Sequence, residues 1–324
     1  MKHILEPLIS AGKHGINMVD GKGNICQVHP ILACYAADYP EQCLVTTAKY
    51  NTCPKYHATL EDFGSGQLET PRMSHETLQV IDYALGEIKG TFNNICWEFH
   101  LSRYISDPLW SDLPYVDIHM SITPDILHQV NSGVFSHLTK WCETIIARSN
   151  ELDKRVSQLP LSHNTHHFPG GFSVLMQRSG SEWKSMAKVL LGSIIGAVPT
   201  QAVKATRLLL DFIYLSQYSS YSDEILQYLD EALQAFHNEK QVFQDLAPEI
   251  NFDIPKLHSL LHFSQSIRLF GATDNYNTEQ FERLHINFAK DAFQASNKRD
   301  EHLQMIKWVE RIEQIHLFQL ILEW

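Results

Sequence analysis

The sequence predicts a mainly α-helical fold with a small strand-bearing segment near its amino-terminal end. From Ser74 onward, apolar residues recur with the period of an α-helix. Before that point, short apolar runs are separated by turn-forming residues, as is typical of short strands. Hydrophobic residues make up 44% of the 324 residues, which is enough to form the core of a soluble globular protein.

The first 66 residues are predicted to form short strands and loops. Residues 30–35 could form a buried strand and residues 43–48 a second one, with Asp-Tyr-Pro at 38–40 as the turn between them. Asp20 lies in Val-Asp-Gly-Lys-Gly, which is a turn sequence. Residues 51–66 are expected to be a loop.

Helices account for most of the remaining chain. Ser74 begins a predicted helix that ends near residue 90, and Pro124 begins one that ends near residue 148, with Gly133 as its weak point. Six further helices are predicted over residues 181–197, 200–218, 222–246, 254–270, 278–296 and 300–323.

Charge and cysteine content exclude several classes of protein. The net charge of −11 disfavours a stand-alone DNA-binding module, although carboxylates that bind metal ions are compatible with it. The six cysteines show no regular spacing, so we expect free thiols in an intracellular protein. The most apolar run, residues 189–198, is too short to cross a bilayer, and we expect no membrane partner.

Carboxylates at three places are candidates for metal chemistry. Asp38 follows an apolar run and precedes a proline, a common position for a metal ligand but also for a turn aspartate. Asp125 and His128 are three residues apart at a helix start, so both side chains could point at one site. Alternatively, Asp125 interacts with the helix dipole and His128 only packs. Glu279 and Glu282 are also three residues apart, so one of them could bind a metal ion. Alternatively, both belong to an acidic first helical turn that faces solvent.

Histidines and one cysteine form a second set of candidates. His258 and His262 are four residues apart and could share a metal ion on a helix. No glutamate follows His258, which excludes the metalloprotease motif, and we expect both rings in the core. Cys53 lies in Cys-Pro-Lys-Tyr-His, and a structural zinc ion usually needs four thiolate or imidazole ligands.

Three ordered blocks carry a resemblance to a known family. They are Pro-Ile-Leu-Ala-Cys-Tyr-Ala-Ala-Asp-Tyr-Pro-Glu-Gln-Cys at 30–43, Ile-Thr-Pro-Asp-Ile-Leu-His-Gln-Val at 122–130, and Asp-Asn-Tyr-Asn-Thr-Glu-Gln-Phe-Glu-Arg-Leu-His-Ile-Asn-Phe-Ala-Lys at 274–290. Together they resemble the Plavaka group of DNA transposases, relatives of the CACTA elements found mainly in mushroom-forming fungi. Pro-Leu-Trp-Ser-Asp-Leu-Pro and Ile-Pro-Lys-Leu-His-Ser-Leu-Leu-His extend the resemblance.

The resemblance implies a specific architecture. An RNase H-like α/β core would be interrupted by a large helical domain inserted between the second catalytic aspartate and the final glutamate. Residues 1–66 would be a remnant of that core, residues 67–270 the insertion, and residues 271–324 the helices that carry the glutamate.

The resemblance also implies site residues and a cofactor. Asp38 would be the second catalytic aspartate, and Glu282 or Glu279 the final glutamate, holding Mg²⁺ or Mn²⁺ for DNA cleavage and strand transfer. Glu282 is favoured because Glu-Arg-Leu-His resembles the Glu-Arg pattern of the CACTA group. Asp125 and His128 would organise the site.

The chain departs from the family at its first catalytic aspartate. In relatives this residue lies on a strand well upstream of the Asp-Tyr-Pro-Glu-Gln block, whereas only 37 residues precede Asp38 and Asp20 is in a turn. We therefore expect an amino-terminally truncated pseudoenzyme that is inactive alone and prone to self-association through an unpaired sheet edge. Transposon-end DNA and the nucleus are implied as partner and location. The alternative is a non-enzymatic, mostly helical interaction or scaffold protein.

The resemblance adds a weak zinc candidate at Cys53. Relatives carry Cys-Pro-x-Cys at this point, which is similar to half of a zinc site. Here Tyr56 replaces the second cysteine and His57 is displaced by one residue, so we expect no bound zinc. A small zinc-stabilised domain at Cys53 is the alternative.

Overall fold

The fold is mainly α-helical, as the sequence predicts. The structure is a computed structural model that describes residues 2–87, 91–146, 150–176 and 178–323. The chain forms two compact units, Met1–Tyr276 and Asn277–Trp324. The three segments expected from the family architecture stay a prediction, because a division by packing does not test their origin.

Helices of the first unit surround its core. They are α1 (Lys2–His14), α2 (Tyr39–Val45), α3 (Ser74–Gly86), α4 (Thr91–Glu98), α5 (Ile118–Ser121), α6 (Phe135–Ile146), α7 (Glu151–Ser157), α8 (Gly180–Ile194), α9 (Thr200–Leu215), α10 (Asp223–Glu239), α11 (Gln241–Leu246), α12 (Pro255–His258) and α13 (Phe263–Phe270). A π-helical segment, Ile126–Val134, precedes α6, and 3₁₀ turns cover Leu60–Asp62, Ser259–His262 and Thr273–Tyr276. Helices α1, α4 and α7 were not predicted from the sequence.

The regular elements in the described residues of the second unit are all helical. It contains α14 (Thr278–His285), a π-helical turn (Ile286–Lys290), α15 (Asp291–Gln294) and α16 (Glu301–Glu323). In the part of the chain that the structure describes, no helix is both long and apolar enough to cross a membrane.

Four short strands form two separate pairs. Strands β1 (Ile16–Val19) and β2 (Ile25–Val28) make an antiparallel hairpin, and Asp20 forms its turn by accepting from the backbone N–H groups of Lys22 and Asn24, both at 2.8 Å. Strands β3 (Tyr35–Ala36) and β4 (Ile122–Thr123) pair in parallel. The predicted turn at Asp20 is thus confirmed.

The strand predicted over residues 43–48 is wrong, because residues 43–45 belong to helix α2 and residues 46–47 form a turn. Asp38 caps the helix by accepting from the N–H of Glu41 at 3.0 Å, and Pro40 occupies its first turn. A proline is tolerated there because the N–H groups of the first turn have no helical partner. A strand is expected over residues 30–35, but the observed strand covers only Tyr35–Ala36, and residues 30–34 have no regular structure.

The predicted long helices occur with altered ends and interruptions. Gly133 breaks the helix that follows Pro124, with φ −93° and ψ −108°, which confirms it as the weak point. The predicted end at residue 148 lies outside the described residues, and the helix predicted to end near residue 90 ends at Gly86. The helix predicted over 254–270 is divided by the 3₁₀ turn Ser259–His262.

The main core lies among α6 and the helices α8 to α13. Trp141 on α6 is buried, and its ring lies 5.2 Å from that of Phe252 and 5.7 Å from that of Phe243. The edge-on contact with Phe252 is a favourable arrangement for two aromatic rings. This core fixes the direction of α6 and of the π-helical segment before it.

Replacement of Gly133 by alanine should destabilise the fold. A Cβ atom at this position would lie 2.5 Å from the carbonyl oxygen of His128, a backbone atom that cannot move aside cheaply. We expect Gly133→Ala to lower the free energy of unfolding by about 1–3 kcal/mol in urea titrations. Gly192→Ala is the matched control, because its Cβ would meet no atom within 4 Å, and it should be neutral or stabilising. Equal stability of both variants would contradict the prediction.

Buried His119 should make the fold sensitive to acid. Its Nδ1 donates to the carbonyl oxygen of Pro54 at 2.6 Å, and its Nε2 lies 2.9 Å from the hydroxyl of Thr77. Burial lowers its pKa to about 4, whereas the ring takes a proton below about pH 6.5 in the unfolded chain. Stability should therefore fall from pH 6.5 toward pH 4, by up to about 1.4 kcal/mol per pH unit for this ring. Urea titrations across this range should give a smaller slope for His119→Gln, and an unchanged slope would contradict the assignment.

Candidate functional site

Asp38 and Asp125 lie at the same edge of the parallel strand pair. Tyr35 pairs with Ile122 and Ala36 with Thr123. Asp38 comes two residues after the end of β3, and Asp125 two residues after the end of β4. Because parallel strands share the edge at which they end, this register places both carboxylates at equivalent positions. A carboxylate-lined edge of this kind can bind a divalent cation.

Each aspartate also caps the helix that follows it. The Oδ1 atom of Asp38 accepts from the N–H of Glu41, while Oδ2 of Asp125 accepts from the N–H of His128 at 2.8 Å. The Nδ1 atom of His128 lies 2.7 Å from the same Oδ2. Asp125 is buried and Asp38 is half-buried. The structure thus brings Asp125 and His128 into direct contact, and leaves Asp38 more accessible to solvent.

Two buried glutamines connect the two strand ends. The side-chain amide of Gln42 donates to the carbonyl oxygens of Ala37 at 2.8 Å and Thr123 at 2.9 Å. Gln129 donates to Oε1 of Gln42 at 3.2 Å, and its own Oε1 accepts from the N–H of Asp125 at 3.1 Å. The network fixes the backbone next to both aspartates.

Sequence reasoning missed these glutamines, although a signal was present. Gln42 follows Asp38 by four residues, and Gln129 follows Asp125 by four residues. In both cases the aspartate is the helix cap and the glutamine lies one turn further along. The repeated Asp-x-x-x-Gln spacing therefore marks two equivalent helix starts.

The two predicted glutamates lie on α14 of the second unit. Asn277 caps this helix by accepting from the N–H of Glu279 at 3.0 Å. Glu279 is half-buried, and Glu282 lies in the next turn and is exposed. Their participation in a site with Asp38 stays a prediction.

Cys53, His258 and His262 form a separate buried cluster. Their potential ligand atoms all lie within 4.8 Å of one another, and Sγ of Cys53 is 3.5 Å from Nε2 of His262. Burial raises the pKa of the Cys53 thiol to about 11 and lowers the pKa of His258 to about 4. The sequence pattern showed the two histidines as a pair, but only the fold brings the cysteine to them.

The comparisons with known proteins concern the segment that carries the strand pair. The family model described as Plavaka transposase matches residues 1–142. Over this segment the chain is similar to the Plavaka transposases. The match confirms the resemblance seen in the blocks at residues 30–43 and 122–130, and it supports a transposase-derived origin. Neither the curated proteins nor the solved structures gave a significant match.

The segment matched by the family model, called the Plavaka segment below, contains four of the eight candidate residues. Asp38, Cys53, Asp125 and His128 lie within residues 1–142, together with both strands of the parallel pair. The relation to CACTA elements, a fungal source and a truncation stay predictions, as does the RNase H-like core.

Removal of the Gln42 amide should disrupt the Plavaka segment. Gln42→Leu would leave the carbonyls of Ala37 and Thr123, and the amide of Gln129, without this partner. Buried polar groups that lose a partner cost about 1–3 kcal/mol, so we expect a loss of about 2–4 kcal/mol in the free energy of unfolding.

The control is Gln227→Leu, at an exposed position of α10 where the side-chain amide donates to Oε1 of Glu231 at 2.7 Å. It should change stability by less than about 0.5 kcal/mol. A Gln42→Leu protein as stable as this control would show that the two strand ends are held by other contacts.

Proposed function

We propose that this Plavaka-type chain derives from a metal-dependent DNA transposase that cleaved transposon ends and transferred the strands. Water and then a DNA 3′-hydroxyl would serve as the nucleophiles. The observation that supports this proposal is the equivalent placement of Asp38 and Asp125 after adjacent parallel strands. The pair is also what we would expect from part of an RNase H-like core.

The residues at this edge fit a hard divalent cation. Mg²⁺ and Mn²⁺ prefer carboxylate oxygens. Oδ1 of Asp38 caps α2, and its second oxygen, Oδ2, is the one that would bind the cation. Asp125, whose carboxylate contacts His128 at two points, would position the site. When bound, two such ions stabilise the attacking and leaving oxygens of a phosphodiester.

The final carboxylate would come from α14. We favour Glu282 over Glu279 as the ligand, on the basis of the Glu-Arg pattern in the sequence. We have identified two of the three acidic residues that this chemistry uses, so we propose that the 324-residue chain alone is inactive. Its nucleic-acid partner would be transposon-end DNA, and its place of action the nucleus.

A non-enzymatic interaction protein is the second candidate function. The second unit leaves many large apolar side chains exposed along α16, namely Leu303, Ile306, Ile315, Leu317, Phe318, Leu320, Ile321 and Leu322. Exposed apolar surface of this extent favours association with another protein or a second copy of the chain. Light scattering tests self-association, since a monodisperse monomer would exclude it.

The metal proposal predicts a stabilising effect of Mg²⁺ or Mn²⁺ that depends on Asp38. A cation that binds only the folded state adds about 2.7 kcal/mol of stability at a concentration 100-fold above its dissociation constant. Asp38→Asn should reduce the cation-induced rise in melting temperature. Asparagine is as good a helix cap as aspartate, so stability without the cation should change little.

Asp20→Asn is the matched control, because Asp20 also accepts backbone N–H groups but lies in the β1–β2 turn. It should keep the full cation-induced shift. Equal shifts in the wild-type, Asp38→Asn and Asp20→Asn proteins would indicate nonspecific ion binding and would favour the interaction-protein alternative.

A further inference from the structure

We infer that Cys53, His258 and His262 bind a zinc ion that links the loop after α2 to the end of α12 and the 3₁₀ turn that follows it. This site is separate from the carboxylate edge, and the inference does not depend on the proposed transposase chemistry. The sequence led us to expect no zinc at Cys53, because its neighbours Tyr56 and His57 do not complete a ligand set. The fold supplies other ligands about two hundred residues away.

The distances match those of a tetrahedral zinc site. Zinc binds a thiolate at about 2.3 Å and an imidazole nitrogen at about 2.0–2.1 Å, so a tetrahedral ion separates the two ligand atoms by about 3.6 Å. The observed distance from Sγ of Cys53 to Nε2 of His262 is 3.5 Å. All three ligand atoms, including that of His258, lie within 4.8 Å of one another.

His258 distinguishes a metal site from an ordinary thiol–imidazole contact. A weak S–H···N hydrogen bond could explain the spacing between Cys53 and His262. It leaves His258 unexplained, because both ring nitrogens of this residue are buried and make no hydrogen bond within the described residues. A buried polar atom without a partner is unfavourable, and coordination of a metal ion would satisfy one of these nitrogens.

The backbone around Cys53 is arranged to stabilise a thiolate. The N–H groups of Lys55 and Tyr56 both donate to Sγ of Cys53 at 3.3 Å. The N–H of Cys53 donates to the carbonyl oxygen of Ala58 at 2.9 Å, which closes a tight loop behind the sulfur. Hydrogen bonds from the surroundings to a ligating atom orient it and tune its affinity for the metal.

The ligand types favour zinc over the ions proposed for the carboxylate edge. Thiolate and imidazole are ligands that zinc prefers, whereas Mg²⁺ and Mn²⁺ prefer oxygen. No fourth cysteine, histidine or carboxylate ligand atom joins the cluster in the part of the chain that the structure describes. The hydroxyl of nearby Tyr56 donates to Gln265 at 2.8 Å. We assign the fourth position to a solvent molecule or a small anion.

The three ligands are buried, so a bound ion would link two segments inside the fold. The exposed fractions of Cys53, His258 and His262 are 1%, 1% and 4%. Near Cys53 the loop has a small apolar cluster of its own, formed by Cys53, Tyr56, Ala58 and Phe63. A metal ion bound to both segments would attach this loop to the helical core, so metal binding would contribute directly to folding.

The first test is the metal content of the full-length protein. The chain is purified under reducing conditions, incubated with Zn²⁺, freed of loosely bound ions and measured by mass spectrometry. We expect about one zinc ion per chain. Removal of the ion by a strong chelator should lower the melting temperature by roughly 5–10 °C, and Zn²⁺ but not Mg²⁺ should restore it.

Variants identify the ligands. Cys53→Ser and His258→Gln should lose the bound zinc. Cys142→Ser and His119→Gln should retain it, because Cys142 contacts Thr206 and His119 already has two hydrogen-bond partners. Replacement of zinc by Co²⁺ in the wild-type protein should give the visible absorption of a tetrahedral ion with a thiolate ligand. This readout remains valid if a ligand variant fails to fold.

Three results would overturn the assignment. They are wild-type protein without zinc after incubation with Zn²⁺, stoichiometric Cu⁺ in place of zinc, and equal zinc content in the Cys53→Ser and Cys142→Ser proteins. The Mg²⁺ and Mn²⁺ melting experiment on Asp38 has an independent outcome, so failure of either proposal leaves the other intact.

Discussion

The side-chain amide of Gln42 donates to the carbonyl oxygens that precede Asp38 and Asp125, and the positions of both aspartates depend on these two bonds. The strands themselves pair over only two residues each, too few to hold a parallel register without help. Because the amide is buried, no water molecule can easily replace it as a partner. Its oxygen in turn orients Gln129, which holds the backbone N–H of Asp125. One side chain therefore sets the spacing of the candidate carboxylates.

Periodicity predicted the helices well because their buried faces repeat over many residues. It failed at α2, where the run Leu44, Val45, Thr46 and Thr47 has the β-branched content of a strand. Three local features outweigh that propensity: the Asp38 cap, Pro40 in the first turn, and the bond from the Thr46 hydroxyl to the Gln42 carbonyl. These features predict a helix only if Asp38 is first recognised as the residue that caps its start.

The candidate sites likewise include contacts that the sequence predicts and contacts that it does not. Asp125 and His128 are neighbours on one helix, so their contact follows from a spacing of three residues. The pairing of β3 with β4 joins residues 87 positions apart, and the contact of Cys53 with His262 joins residues 209 apart. Contacts of this range depend on the packing of the whole helical core, which a single sequence does not specify.

The two candidate metal sites differ in their exposure to solvent and in their ligand atoms. Asp38 is half-buried and offers oxygen, as suits an ion that exchanges ligands with a substrate. The Cys53 cluster is closed off and offers sulfur and nitrogen, as suits an ion that stays with the fold. The two proposed cations, one hard and one borderline, would therefore not compete for the same ligands.

The π-helical segment Ile126–Val134 also restricts how the chain can vary. A π-turn contains more residues than an α-turn, so the number of residues between Asp125 and Trp141 is matched to this wider winding. Loss of one residue there would rotate α6 by about 100° about its axis relative to Asp125. Trp141 would then leave the rings of Phe243 and Phe252. Side chains in this segment can change. Its length cannot, because the same number of residues must keep Asp125 at the strand end and Trp141 in the core.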